Sequence, residues 1–294
     1  MISRIKDSMV YREFFSSLEL FRKKVRYLAL PFLFDLLFFV LFVVVLNFFA
    51  FRMLDELVAV RDLTEGATVE AYGAMTTAQF ATVLGNEAQL MAHMNQFLML
   101  LSVFVLVSFL IYVLLQGVNW YLTDMVVWGR KFSWRVLARY SGLFFLLNLV
   151  WLAGLLVIFF VLREILFWNT QNLYPLVSQT FLNYASILLV LVYLYFVFIS
   201  YALLMRYRLS DTLKKTLQMG FRGYRKFVPM YLILAAMLAV PLLLLIPVQF
   251  FAYIRLMISL GFLLCMVILL LAVFSFARIY ISCIVRDHAT KVST

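Results

Sequence analysis

Apolar runs of membrane-crossing length alternate along this chain with shorter segments that hold nearly all of its charge. Six stretches, about 28–50, 97–118, 141–162, 184–205, 228–250 and 256–278, are almost wholly apolar. A hydrocarbon layer about 30 Å thick is crossed by roughly 20 helical residues, so each run predicts a transmembrane helix. The runs are too long and too uniformly apolar for the alternating strands of a membrane barrel. Only a few residues separate the fifth run from the sixth, which makes these two antiparallel neighbours.

One polar pattern recurs at the start of the odd-numbered runs: aromatic–Arg–x3–basic–aromatic. It reads Phe21-Arg22-x3-Arg26-Tyr27, Trp134-Arg135-x3-Arg139-Tyr140 and Phe221-Arg222-x3-Lys226-Phe227. Recurrence at one structural boundary marks an internal repeat. Between the second and third copies the match extends backwards without a gap, from Leu122-Thr123-Asp124 to Leu209-Ser210-Asp211. Thr or Ser followed by Asp is a helix-start signal, because their side-chain oxygens accept from orphan backbone N–H groups. Both are expected to start elbow helices; the first unit lacks this signal at the corresponding positions, so the repeat has diverged there. Leu209, Leu213, Leu217 and Phe221 form an apolar stripe at helical spacing, as do Val10, Phe14, Leu18, Phe21 and Val25. Such helices lie along a membrane interface, apolar side in the acyl boundary and cations among headgroups. Arg22, Arg26, Arg135, Arg139, Arg222 and Lys226 are the expected contacts to lipid phosphates.

The resulting fold class is all-α: a polytopic bundle of six transmembrane helices in three tandem two-helix units, each preceded by a cytoplasmic amphipathic elbow helix. The expected repeat units are 8–118, 119–205 and 206–285, within one membrane domain covering 1–294. Repeats that enter the membrane in the same direction are related by an axis along its normal.

Composition agrees. Hydrophobic residues make up 66% of the 294 and charged residues 13%, against about 25% charged in a soluble domain. The net charge of +11 would point to nucleic acid in a soluble protein, but its placement follows membrane topology instead, so no nucleic-acid partner is expected. Lys and Arg number seven before residue 28, four in 119–140, seven in 206–227 and two after Arg278, against only Arg52, Arg61, Arg163 and Arg255 on the other side. The positive-inside rule places both termini and the two basic connections in the cytoplasm, facing anionic headgroups. The first run has no small-residue cleavage site behind it and is expected to remain a helix. The plasma membrane of a prokaryote is the expected location.

On the opposite side, 51–96 is the longest connection. It carries Asp55, Glu56, Asp62, Glu65, Glu70 and Glu87 and no proline. Short helices are expected there, as an ordinary solvated loop or as an acidic cap for a protein partner.

Within the spans, the repeat aligns Asp35, Asn148 and Ala235, each eight residues past the closing aromatic, about 12 Å along the helix. Asp35 is the only acidic residue well inside an expected span, and it is costly there unless paired or neutral. Arg278 is its candidate partner. With Gln116, Asn148 and Ser200 the two would form a polar cluster, serving a substrate, an ion or a proton. The alternative is a satisfied structural Asp35, with Arg278 snorkelling to the interface. Ala235 and Ala239 have the spacing of a close helix contact, and Pro241 predicts a kink.

Catalytic chemistry is not signalled. The two histidines are His93 and His288, and the two cysteines, Cys265 and Cys283, form no CxxC. No HExxH, nucleophile elbow or phosphate loop occurs. No enzyme activity, metal or cofactor is expected.

Six spans in three two-helix units superficially resemble mitochondrial carriers, but the Px[DE]xx[KR] triplicate of that family is missing and the amphipathic helices stand before each pair rather than within it. The stretch Gln116-Gly117-Val118-Asn119-Trp120, followed by an elbow and another span, resembles uncharacterised archaeal polytopic membrane proteins. That resemblance covers a short segment and implies no functional residues. The leading expectation is a small permease or transporter-like component for a solute, ion or lipid. The alternative is a non-transporting scaffold or assembly partner acting through the basic elbows and the acidic outer loop.

Overall fold

A computed structural model of the protein describes residues 9–64, 87–171, 178–251 and 256–292. Among these it contains eight helices and no strand: α1 (Met9–Lys23), α2 (Val25–Thr64), α3 (Glu87–Trp128), α4 (Trp134–Gln171), α5 (Gln179–Leu204), α6 (Leu209–Arg222), α7 (Tyr224–Phe251) and α8 (Leu256–Val292). Five are long and apolar enough to cross a membrane, and α6 with α7 to Val240, bent by 87°, makes a sixth if counted as one span. The protein is an integral, multi-pass membrane protein.

The chain divides into two compact units: residues 37–114, and the remainder. The 40-residue α2 and the 42-residue α3, which give residues 37–64 and 87–114 to the smaller unit, extend well beyond the expected spans. At 1.5 Å per residue each is about 60 Å long. The described parts of the expected loop 51–96, residues 51–64 and 87–96, are thus helix continuing from the spans. Leu54, Leu57, Val58 and Val60 keep the chain apolar, and no glycine or proline stops it. Residues 65–86, and with them Glu65 and Glu70, lie outside the described residues. Phe38 meets Tyr112 at 5.9 Å, and Phe42 and Phe49 meet Phe104 at 6.3 and 5.8 Å. Partner numbers fall as residue numbers rise, so the helices pair antiparallel. His93 Nδ1 lies 2.7 Å from Glu56 Oε2.

In the larger unit, α8 occupies the core. Its residues 275–285 are buried apart from the half-buried Ala277, and Ile279, Tyr280 and Val285 have no exposed surface. Helix α1 packs against this end of α8. Phe14 stacks edge-on to Phe276 and Tyr280 at 5.4 and 5.6 Å, and Tyr280 donates to the Val10 carbonyl at 3.0 Å. The expected stripe of α1 is therefore turned inward at Val10, Phe14 and Phe21, with Leu18 left exposed. On the outer side the Lys23 ammonium, 2.6 Å from Glu19, holds that carboxyl below the usual carboxylate range.

Helix α6 does the opposite. Its protein-facing side is Thr212, Thr216, Met219 and Gly220, while Leu217 and Phe221 of the apolar stripe are exposed. A short helix that turns leucine and phenylalanine away from the protein is dressed for an acyl boundary. The bend into α7 falls at Gly223, where a Cβ would lie 2.6 Å from the Met219 carbonyl oxygen.

No separate helix forms over 119–140. Instead α3 runs to Trp128 and stops at Gly129, whose φ of 65° is the left-handed cap position. The Arg130 N–H then reaches back to the Met125 carbonyl at 3.0 Å, the wrap-around bond that closes a helix C-terminus. Lys24 and Arg286 donate to carbonyls of the last turn, those of Val126 and Val127, at 3.3 and 2.6 Å. Cations at the negative end of a helix are favourable. Helix α4 begins at Trp134, so the second copy of the aromatic–Arg pattern lies wholly within its first turns. The other two copies straddle a helix break.

Candidate functional site

Asp35 sits near the start of α2, where its carboxylate meets five donors. Arg278 grips it with both Nη atoms, Nη1 reaching Oδ1 at 2.8 Å and Nη2 reaching Oδ2. Oδ1 also accepts from Gln116 Nε2 at 3.1 Å and Asn119 Nδ2 at 2.6 Å, and Oδ2 from Ser275 Oγ at 3.0 Å. All five residues are buried, with Asp35 4% and Arg278 6% exposed. A two-pronged guanidinium–carboxylate pair is the strongest protein ion pair, and burial raises both its attraction and its desolvation cost. The neutral donors offset that cost by filling the remaining lone pairs. Arg278 does not snorkel; it is held inward.

Each helix contributes by simple spacing. Gln116 and Asn119 lie three apart on one face of α3, and Ser275 and Arg278 three apart on one face of α8. Further along, Ser282 Oγ donates to Asp124 Oδ1 at 2.7 Å, before Arg286 reaches Val127. Partner numbers now rise together, so α3 and α8 run parallel and share a polar seam from Gln116 to Val127. Asp124, expected to start a helix, instead lies near the C-terminal end of α3 and is fully buried. Asp35 is thus not the only acidic side chain buried along the long helices. Three side-chain atoms of the seam have no partner among the described residues: Asn119 Oδ1, Arg278 Nε and Asp124 Oδ2.

Of the five expected cluster residues, the fold brings together Asp35, Gln116 and Arg278. Asn148 and Ser200 belong to another contact, between α4 and α5. There Tyr201 donates to Asn148 Oδ1 at 2.5 Å, Asn148 Nδ2 donates to the Phe144 carbonyl at 2.8 Å, and Trp151 Nε1 donates to Ser200 Oγ at 2.9 Å. Ala235, the third repeat's counterpart, is exposed on α7. Asn119 and Ser275 were missed by reading single residues; their three-residue spacing from Gln116 and Arg278 was the available signal.

The expected headgroup contacts lie at helix ends. Arg22 is exposed near the end of α1, Arg135 and Arg139 are exposed in the first turns of α4, Arg222 is exposed as the last residue of α6, and Lys226 is half-buried at the start of α7. The Arg26 side chain lies outside those described. The closing aromatics differ: Tyr27 is 67% exposed, whereas Tyr140 and Phe227 are buried. No three His, Cys, Asp or Glu side chains gather in metal-binding geometry among the described residues.

No protein-family model, curated protein or solved structure matches this chain. The reading of its function rests on the side chains themselves.

Proposed function

We propose that the protein is a membrane-resident scaffold, oriented with both termini in the cytoplasm, which holds anionic lipid at that face through its basic helix ends. The observation that carries this reading is the saturation of Asp35. The carboxylate at the centre of the expected cluster accepts five hydrogen bonds from its own chain and is sealed among them. A site spent on joining α2, α3 and α8 is a fastening. The exposed apolar stripe of α6 beside exposed Arg222 supports interfacial anchoring. The three-unit repeat supplies the parsimonious origin of these basic ends, each at the mouth of a hairpin.

The test compares phospholipid retained by wild type and by Arg135→Gln/Arg139→Gln/Arg222→Gln after purification from membranes of mixed composition. Wild type should be enriched in anionic lipid and the variant should not. Equal enrichment would count against anchoring.

Transport is the second reading, favoured by the three unpartnered atoms along the α3–α8 seam, which leave polar capacity for water, a proton or a small ligand. Flux assays in proteoliposomes separate the two. Wild-type vesicles that pass a solute faster than empty ones, with Asp35→Asn removing the difference, would replace the scaffold by a permease.

A further inference from the structure

At the junction of α5 and α6 a second cationic arrangement forms, apart from the repeated motif. The Arg206 guanidinium lies 5.5 Å from the ring centres of both Trp128 and Tyr207. From the first turns of α6, Lys215 Nζ stands 4.1 Å from the same Tyr207 ring. Arg130, in the turn after α3, points its Nη1 at the Met205 carbonyl, a marginal 3.5 Å contact. Arg130 and Lys215 thus both reach the three-residue stretch 205–207 that carries Arg206, and none of the three cations belongs to an ion pair found among the described residues. Asp211, the acidic residue of this helix start, is exposed.

Mutual repulsion should drive such cations apart. Two aromatic faces hold them in place instead, since a ring quadrupole attracts a cation without neutralising it. Arg206 and Lys215 therefore keep their positive charge, while Arg130 also feels the buried Asp124 carboxylate. Arg206 Nη1 is also buried with no acceptor, an unmet donor that costs free energy until an oxygen reaches it. Trp128 is itself packed on the core cluster of Val126, Val127, Ile279 and Cys283, so the platform under Arg206 is backed by the protein core.

We infer that Arg206, Lys215 and Arg130 form a seat for a phosphodiester oxygen pair, and that its occupant is the headgroup of an anionic phospholipid. Guanidinium and ammonium together match phosphate: the fork binds two oxygens and the ammonium adds a point charge. The exposed Leu217 and Phe221 on another face of the same helix set α6 at the acyl boundary, so these cations stand at headgroup depth, where the phosphate of a lipid is the anion at hand. The inference rests on the anchoring reading of α6 and adds to it a defined stoichiometric site.

The test is native mass spectrometry of the full-length protein in a neutral detergent. The probes are dioleoylphosphatidylglycerol, dioleoylphosphatidylcholine and inorganic phosphate. Wild type should keep one phosphatidylglycerol at a collision energy that strips phosphatidylcholine. Arg206→Gln/Lys215→Gln should lower that retention about tenfold, and Arg206→Lys should fall between them. Lys215→Gln alone guards against misfolding: it should lose about threefold with an unchanged unfolding midpoint. Equal retention by wild type and the double variant overturns the site. Displacement of the lipid by millimolar inorganic phosphate overturns the lipid as occupant. If Arg135→Gln/Arg139→Gln/Arg222→Gln loses bulk anionic enrichment while Arg206→Gln/Lys215→Gln behaves as wild type, anchoring stands and this site fails.

Discussion

Asp35 and Arg278 are 243 positions apart in the chain and meet as a two-pronged ion pair buried inside the protein. One end of the chain is thereby fastened to the other across the helices between them. Removing one partner leaves the other as an uncompensated buried charge, whereas removing both leaves a shape that apolar side chains can fill. Arg278→Gln should therefore destabilise the protein by about 3–5 kcal/mol, and Asp35→Leu/Arg278→Met should recover most of the loss. Thermal unfolding in one detergent decides it. A wild-type midpoint for Arg278→Gln would show that the pair fastens nothing.

Tyr201 and Asn148 make the corresponding tie in the second hairpin. Tyr201→Phe keeps the ring against Phe144 and removes only the hydroxyl, leaving buried Asn148 Oδ1 without its donor. A loss of about 1–3 kcal/mol is expected. Adding Asn148→Leu should return part of it, because both halves of the unmet bond are then gone. A double-mutant cycle that shows no coupling would remove this contact from the account of stability.

Gly129 ends α3 with a positive φ. Gly129→Val places a branched side chain in the left-handed region and should cost about 1–2 kcal/mol or more. Gly129→Asn should keep most of the stability, since Asn visits that region. If the two variants unfold at one temperature, the end of α3 does not depend on this backbone shape.

Gly223 carries the sharp turn between α6 and α7. A Cβ there would press on the Met219 carbonyl and the Phe227 ring, so Gly223→Ala should cost about 1–3 kcal/mol and open the bend. Spin labels on exposed positions of α6 and α7 should report a shifted or broadened distance. An unchanged distance distribution would mean that the helices bend for another reason.

The apolar spans were legible from the chain because partition into lipid depends on local composition: a run of twenty apolar residues has one low-energy solvent whatever its neighbours do. The long reach of α2 and α3 was half legible. Leu54, Leu57 and Val58 carry helical spacing and short helices were expected there, yet nothing local says that they continue unbroken from the spans. Asp124 shows the limit of a local signal. Thr-Asp starts a helix only where the backbone before it is free, and α3 was already running through that point to its stop at Gly129.

Sequence by itself therefore determined a helical membrane protein, the sites of its spans, and the cation-rich segments at their ends. Only the tertiary structure decided which polar side chains meet. Asp35 could have paired along the repeat with Asn148, and it chose Arg278, Gln116, Asn119 and Ser275 because α3 and α8 run parallel beside it. A buried charge takes whichever donors the packing of distant helices delivers, and that packing is a property of the whole fold, written in no single stretch of residues.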